Sequence, residues 1–159
     1  MLNKTVAIGS DHAGFRLKHA IIRFLKSKDY EVTDYGTYTD ESCDYPDFAS
    51  AVAQAVSTGK ASFGILICGT GVGMSIVANK FPKVRAAVCN DMVCAHYARA
   101  HNDANILTIG ARVVEEKEAL SILETFISTE FEGLKGDGER HTRRLGKLAK
   151  IEKRNFAGK

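Results

Sequence analysis

The sequence predicts an α/β fold: a Rossmann-like three-layer sandwich with a five-stranded parallel sheet and an extended C-terminal helix. Three observations predict it. Short β-branched runs alternate with amphipathic stretches along most of the chain. The third run, Phe63–Ile67 (FGILI), is apolar throughout, as a strand buried on both faces must be. The C-terminal stretch Arg140–Arg154 puts Leu145, Leu148 and Ile151 on one side of an otherwise charged helix.

Each element has its own justification. Thr5–Gly9 (TVAIG) reads as the first strand, and Phe15–Lys26 as a helix with Leu17, Ile21, Ile22 and Leu25 on one face. Tyr30–Asp34 is a second strand, ended by Gly36. Pro46 suits a helix's first turn, and small apolar residues follow at helical spacing over Phe48–Val56. After the third strand, a glycine loop leads into another helix. Val84–Cys89 is the fourth strand, Asp91–His101 a helix and Asn105–Ile109 the fifth strand. Glu115–Ser128 is a helix whose apolar face holds Ala119, Leu120, Leu123, Phe126 and Ile127. Gly133–Gly138 (GLKGDG) is the one flexible joint before the terminal helix. Such alternation implies a parallel sheet covered on both faces.

Composition bounds the function. A chain of 159 residues, 45% hydrophobic and 26% charged, is expected to form a single globular domain spanning 1–159. No signal-like segment and no apolar run near the ~18 residues of a membrane span is visible. Four cysteines (Cys43, Cys68, Cys89, Cys94) do not suggest a disulfide framework, so a cytoplasmic chain with free thiols is expected. From Lys135 onward there are nine Lys/Arg against three Asp/Glu, whereas the preceding residues hold thirteen against sixteen. A basic tail on an acidic body could serve nucleic acid, a neighbouring subunit or a small anion. The tail lacks interleaved stacking aromatics, having only Phe156, which argues against nucleic acid.

Ligands of such sheets bind outside the carboxyl ends of the strands. That rule gathers Asp11 and His12, Cys68 with its glycine loop, Cys89 to Asp91, and Gly110 to Arg112. The loop Gly69–Thr70–Gly71–Val72–Gly73 lets backbone amides approach an anion at the start of a helix. It lacks the Lys-Ser/Thr ending of a P-loop, and its G-x-G-x-G spacing is not the dinucleotide fingerprint. Cys68 at its entrance could be a plain core residue. Helix-terminal amides, however, stabilise a thiolate and could equally stabilise an oxyanion beside it, which is what proton abstraction α to a carbonyl requires. Cys43 lies in a polar loop, and Cys89, Cys94 and His96 show no convincing zinc spacing. Asp11 could cap the helix that follows it or contact a ligand.

His101 poses a geometric question. Its helix starts at the carboxyl edge of the sheet and runs back about 15 Å, far from its own chain's Cys68. It is therefore either a structural helix cap or a residue for a neighbouring subunit's site. Arg140 and Arg144 lie four apart on one helix face, where two guanidinium groups could grip a phosphate or merely form a solvated basic surface.

These segments together resemble ribose-5-phosphate isomerase of the B type, a family that includes allose-6-phosphate and galactose-6-phosphate isomerases. The resemblance rests on GSDHAG at 9–14, DYPDFA at 44–49, GILICGTGVGMSIVANK at 64–80, HNDANIL at 101–107, GARV at 110–113 and the Arg-His-x-x-Arg of 140–144. It implies reversible isomerisation of ribose 5-phosphate and ribulose 5-phosphate through an enediolate, in the pentose phosphate pathway, without metal or organic cofactor. It also implies that Cys68 is the base, that Gly69, Gly71, Val72 and Gly73 hold the enediolate through their amides, and that Thr70 assists proton transfer to oxygen. His101 would open the furanose ring. Asp11, His12 and Asn102 would contact the sugar, Tyr45 would wall the site, and Arg112, Arg140 and Arg144 would hold the phosphate. The family forms homodimers with sites built from two chains, so residues 135–159 are expected to pack at the dimer interface; pairing of dimers into tetramers is left open. Six-carbon sugar phosphates are the nearer alternative substrates, and a non-catalytic sugar-phosphate-binding protein the more distant one. One departure is visible: GLKGDGE precedes Arg140, where family members commonly run from Gly-Gly directly into Arg-His. It leaves the individual roles of Arg140 and Arg144 open.

Overall fold

A computed structural model describes residues 5–134 and 136–156. Five strands, β1 (Thr5–Ser10), β2 (Glu31–Asp34), β3 (Phe63–Cys68), β4 (Ala86–Val88) and β5 (Ile106–Gly110), form one sheet in the order β2-β1-β3-β5-β4. Every pairing is parallel. Between them run α1 (Phe15–Ser27), α2 (Tyr45–Ser57), α3 (Val72–Ala78) and α4 (Met92–Ala100), followed by α5 (Glu116–Ser128), two short 3-10 turns and α6 (Glu139–Phe156).

The strand alternation divides the core in two. Val6, Ile8, Ile65, Ile67, Leu107 and Ile109 pack with α1, α4 and α5. Ala7, Leu66, Cys68 and Ile106 face the other way, against α2 and α3. Right-handed crossovers require this division, because connections running in opposite directions along the sheet must lie on opposite faces. Ile65, Leu66 and Ile67 are wholly buried, and each such side chain contributes about 1.5–3 kcal/mol by leaving water.

The observed elements match the expected fold class, with shifted ends. Helix α2 begins at Tyr45 rather than Phe48, because Pro46 occupies its first turn. Strand β4 shrinks to Ala86–Val88 because it lies at the sheet's edge, with one pairing partner, β5. The glycine joint forms the turns Glu132–Leu134 and Gly136–Gly138. Helix α6 buries only His141 among its residues and touches the body lightly: Thr142 Oγ1 donates to Gly133 O at 2.7 Å, and the Lys83 amide donates to Glu152. Between α6 and the β4 edge lies a cleft of about 400 Å³, walled by Phe81, Val84, Arg85, Asn102, Leu145 and Ile151. Among the described residues no helix is long and apolar enough to cross a membrane.

Candidate active site

Cys68 ends β3 at 5% exposure, and its Sγ accepts a hydrogen bond from the Gly71 amide at 3.2 Å. Gly71 is the residue before α3 and has φ +80°, a left-handed conformation that disfavours any side chain. A β-carbon there would also come within 3.0 Å of the Ile109 backbone. The loop is thus folded tightly onto β5. The Val72 amide donates to Thr70 Oγ1 at 3.3 Å, which leaves the threonine's own proton available as a donor.

Neighbouring strands bring the other residues expected on this edge. The Asp11 amide donates to Ile67 O at 3.1 Å, joining the end of β1 to β3. Asp11 Oδ1 accepts from the Gly14 amide at 3.2 Å, so the carboxylate does support the turn before α1. His12 Nδ1 accepts from the Cys43 amide at 3.3 Å; a neutral ring therefore carries its proton on Nε2. The Tyr45 ring lies over Gly73, where a β-carbon would come within 2.7 Å of it. The Arg112 amide donates to Gly69 O at 3.0 Å, and its side chain lies beside Gly69.

His101, Asn102, Arg140 and Arg144 are elsewhere. His101 caps the C-terminus of α4 at the opposite, amino edge of the sheet. Two residues on, Asp103 binds Arg85 just before β4: its carboxylate accepts from Nη2 and its carbonyl from Nε, both at 2.8 Å. The His101 ring stacks on His141, centroids 4.2 Å apart and planes at 15°, and its Nε2 lies 3.5 Å from Glu132 Oε2. Asn102 lines the cleft beneath α6. Arg140 donates to Asp137 O at 3.2 Å, and Arg144 is exposed on the same helix. The residues expected of the site therefore fall into two separate groups, one at each edge of the sheet.

A model of the family described as Ribose/Galactose Isomerase matches residues 6–148. The chain belongs to that family. It is similar to the ribose-5-phosphate isomerase B of Escherichia coli (strain K12), with 46% identity over 95% of this chain and 98% of the relative. Among solved structures it resembles the ribose-5-phosphate isomerase B of Clostridium thermocellum at a TM-score of 0.89 and 51% identity, covering 95% and 99% of the two chains. A Mycoplasma genitalium ribose-5-phosphate isomerase B with bound ribulose-5-phosphate aligns at a TM-score of 0.87 and 42% identity, covering 94% and 96%.

Within this family member the four thiols differ in surroundings. Burial pushes the Cys89 thiol up to about 12, helped by the charges of Cys94 and Asp91, so it stays protonated. Cys94 is raised mainly by its hydrogen bond to Asp91. Neither has the setting of Cys68. On the other edge, His101, Glu132 and His141 place their ligand-type atoms within 4.8 Å of one another. A metal ion lies in the plane of each imidazole that binds it, and two stacked, nearly parallel rings share no such point. Arg140 and Arg144 add positive charge beside them.

The carboxyl-edge rule gathers Asn90 within Cys89 to Asp91 but gives it no role of its own. Its Nδ2 donates to Thr70 O at 3.3 Å, and its Oδ1 accepts from the Gly110 amide at 2.8 Å. No spacing rule gives its role, because its partners are backbone groups at two other strands' ends.

Proposed function

We propose that the protein interconverts ribose 5-phosphate and ribulose 5-phosphate by moving a proton between C1 and C2 through an enediolate. The observation that carries this reading is the Cys68 thiol meeting the Gly71 amide at 3.2 Å, at the mouth of an amide-rich loop. Cys68 as thiolate takes the proton from the carbon next to the carbonyl and returns it to the neighbouring carbon. Developing negative charge on the oxygens is met by amides of the loop and first turn of α3, with Thr70 passing a proton between oxygens. His12 and Asp11 hold sugar hydroxyls, and Tyr45 closes the side over Gly73. The name of the Mycoplasma genitalium relative, with ribulose-5-phosphate bound, supports the five-carbon substrate.

The working site is built from two copies of the chain. Cys68 and His101 lie at opposite edges of one sheet, so ring opening by His101 is performed on sugar held at the partner's Cys68. Arg140 and Arg144 bind phosphate together with the partner's Arg112. Val72 and Ile76 of α3 and Met92, Val93 and Tyr97 of α4 are exposed on the two helices flanking edge strand β4. Exposed apolar side chains beside a sheet edge suit an isologous dimer.

The test is an isomerase assay over a panel of five- and six-carbon sugar phosphates. Ribose 5-phosphate is expected to give the highest kcat/KM; a preference for a six-carbon sugar would move the reading to the galactose side of the family. Cys68→Ala should lower kcat by about 10³-fold, within the range typical of a lost general base, while the variant still binds substrate. Near-normal turnover in that variant overturns the assignment.

A further inference from the structure

We infer that Asn90 is a positioning residue for the reaction: it aims the Gly71 amide at the Cys68 thiol by holding the Thr70–Gly71 peptide from its other side. The inference rests on the isomerase reading above. Strand β4 ends at Val88, so the ladder offers no further backbone acceptor to the Gly110 amide at the end of β5. Asn90 Oδ1 takes that amide at 2.8 Å. This fixes the orientation of the carboxamide, because only oxygen can accept there. Its Nδ2 is then turned to the Thr70 carbonyl at 3.3 Å.

A peptide unit is planar, and its C=O and N–H point in opposite directions. Holding the Thr70 carbonyl therefore sets the direction of the Gly71 N–H, which donates to Cys68 Sγ at 3.2 Å. The loop needs this hold. Gly71 has φ +80°, and glycine populates either sign of φ with similar ease, so its backbone alone does not select one orientation of the plane. Gly110 shapes the other side of the clamp, since a β-carbon there would come within 2.8 Å of Thr70 Cα. An amide aimed beforehand stabilises charge without reorganising during the reaction. Both side-chain hydrogen bonds of Asn90 go to backbone groups, so it acts through one rigid peptide.

Two variants of the full chain separate this role from a merely structural one. Asn90→Ala removes both bonds. Asn90→Asp keeps an acceptor for Gly110 but cannot donate to Thr70. Both should lower kcat by about tenfold, the usual scale of a misplaced hydrogen bond to a charged group, with KM within about twofold. Alkylation of Cys68 by iodoacetamide at neutral pH, followed by the mass of its peptide, should slow by about threefold or more in Asn90→Ala, which adds no charge, as well as in Asn90→Asp. Wild-type kcat in Asn90→Asp, a loss carried by KM alone, or unchanged Cys68 alkylation overturns the inference. If Asn90→Ala does not fold, the nearly isosteric Asn90→Asp decides. A wild-type chain that isomerises no sugar phosphate refutes the isomerase reading instead, and the alkylation comparison then decides by itself whether Asn90 governs Cys68.

Discussion

His141 shows how one side chain's surroundings become a pH dependence. It is 1% exposed, and neither ring nitrogen has a hydrogen-bond partner among the described residues. Burial first, then the charges of Arg140, His101 and Arg144, hold its imidazole below the usual histidine range. The folded state therefore prefers the neutral ring. Its contribution to stability is present above the unfolded histidine value of about 6.5 and is lost as pH falls below it, because the unfolded chain takes up the proton more readily. Melting temperature should fall between about pH 7 and 5, and His141→Asn should flatten that slope. An equally steep slope in the variant would place the effect in another group.

The turn from α4 into β5 is an element whose sequence looks catalytic but is partly architectural. In the stretch His101-Asn102-Asp103, the aspartate takes φ +45° and its carboxylate accepts from Arg99 Nη1 at 2.7 Å as well as from Arg85. Arg99 is 9% exposed and lies over the rings of Phe63 and Phe126. Removing Asp103 leaves this guanidinium short of a partner in an apolar setting. Asp103→Ala should cost about 2–3 kcal/mol, read as a lowered denaturation midpoint. It should also disturb His101, two residues away, so activity should fall with stability. A stable, fully active Asp103→Ala variant would show that the Arg99 carboxylate contact is dispensable.

Sheet geometry makes its own prediction for the whole molecule. If each site draws Cys68 from one chain and His101 from another, the inactive variants Cys68→Ala and His101→Ala should complement each other. Unfolded together and refolded, they should regain about a quarter of wild-type activity, because half the dimers are mixed and each mixed dimer has one intact site of two. No recovery on mixing would mean that one chain supplies both residues. Charge introduced on the exposed apolar surface tests the same idea: Val93→Glu should shift the protein toward monomer in sedimentation and abolish activity together with it.

The sequence by itself determined the architecture and which of the expected residues stand together on the carboxyl edge of the sheet. Periodicity locates strands and helices because each must bury one face or two, and the carboxyl-edge rule then gathers Asp11, His12, Cys68, the glycine loop and Arg112. It also separated His101 from Cys68, because α4 has a direction and a length. Tertiary structure alone decided what depends on contacts between distant segments. The 3.2 Å contact of the Gly71 amide with sulfur, the ring of Tyr45 over Gly73 and the stacking of His101 on His141 are of this kind. Asn90 is the plainest case: its strand end is legible but its role is not, because its two bonds reach backbone groups 20 residues away in either direction, and backbone groups leave no signature in a sequence.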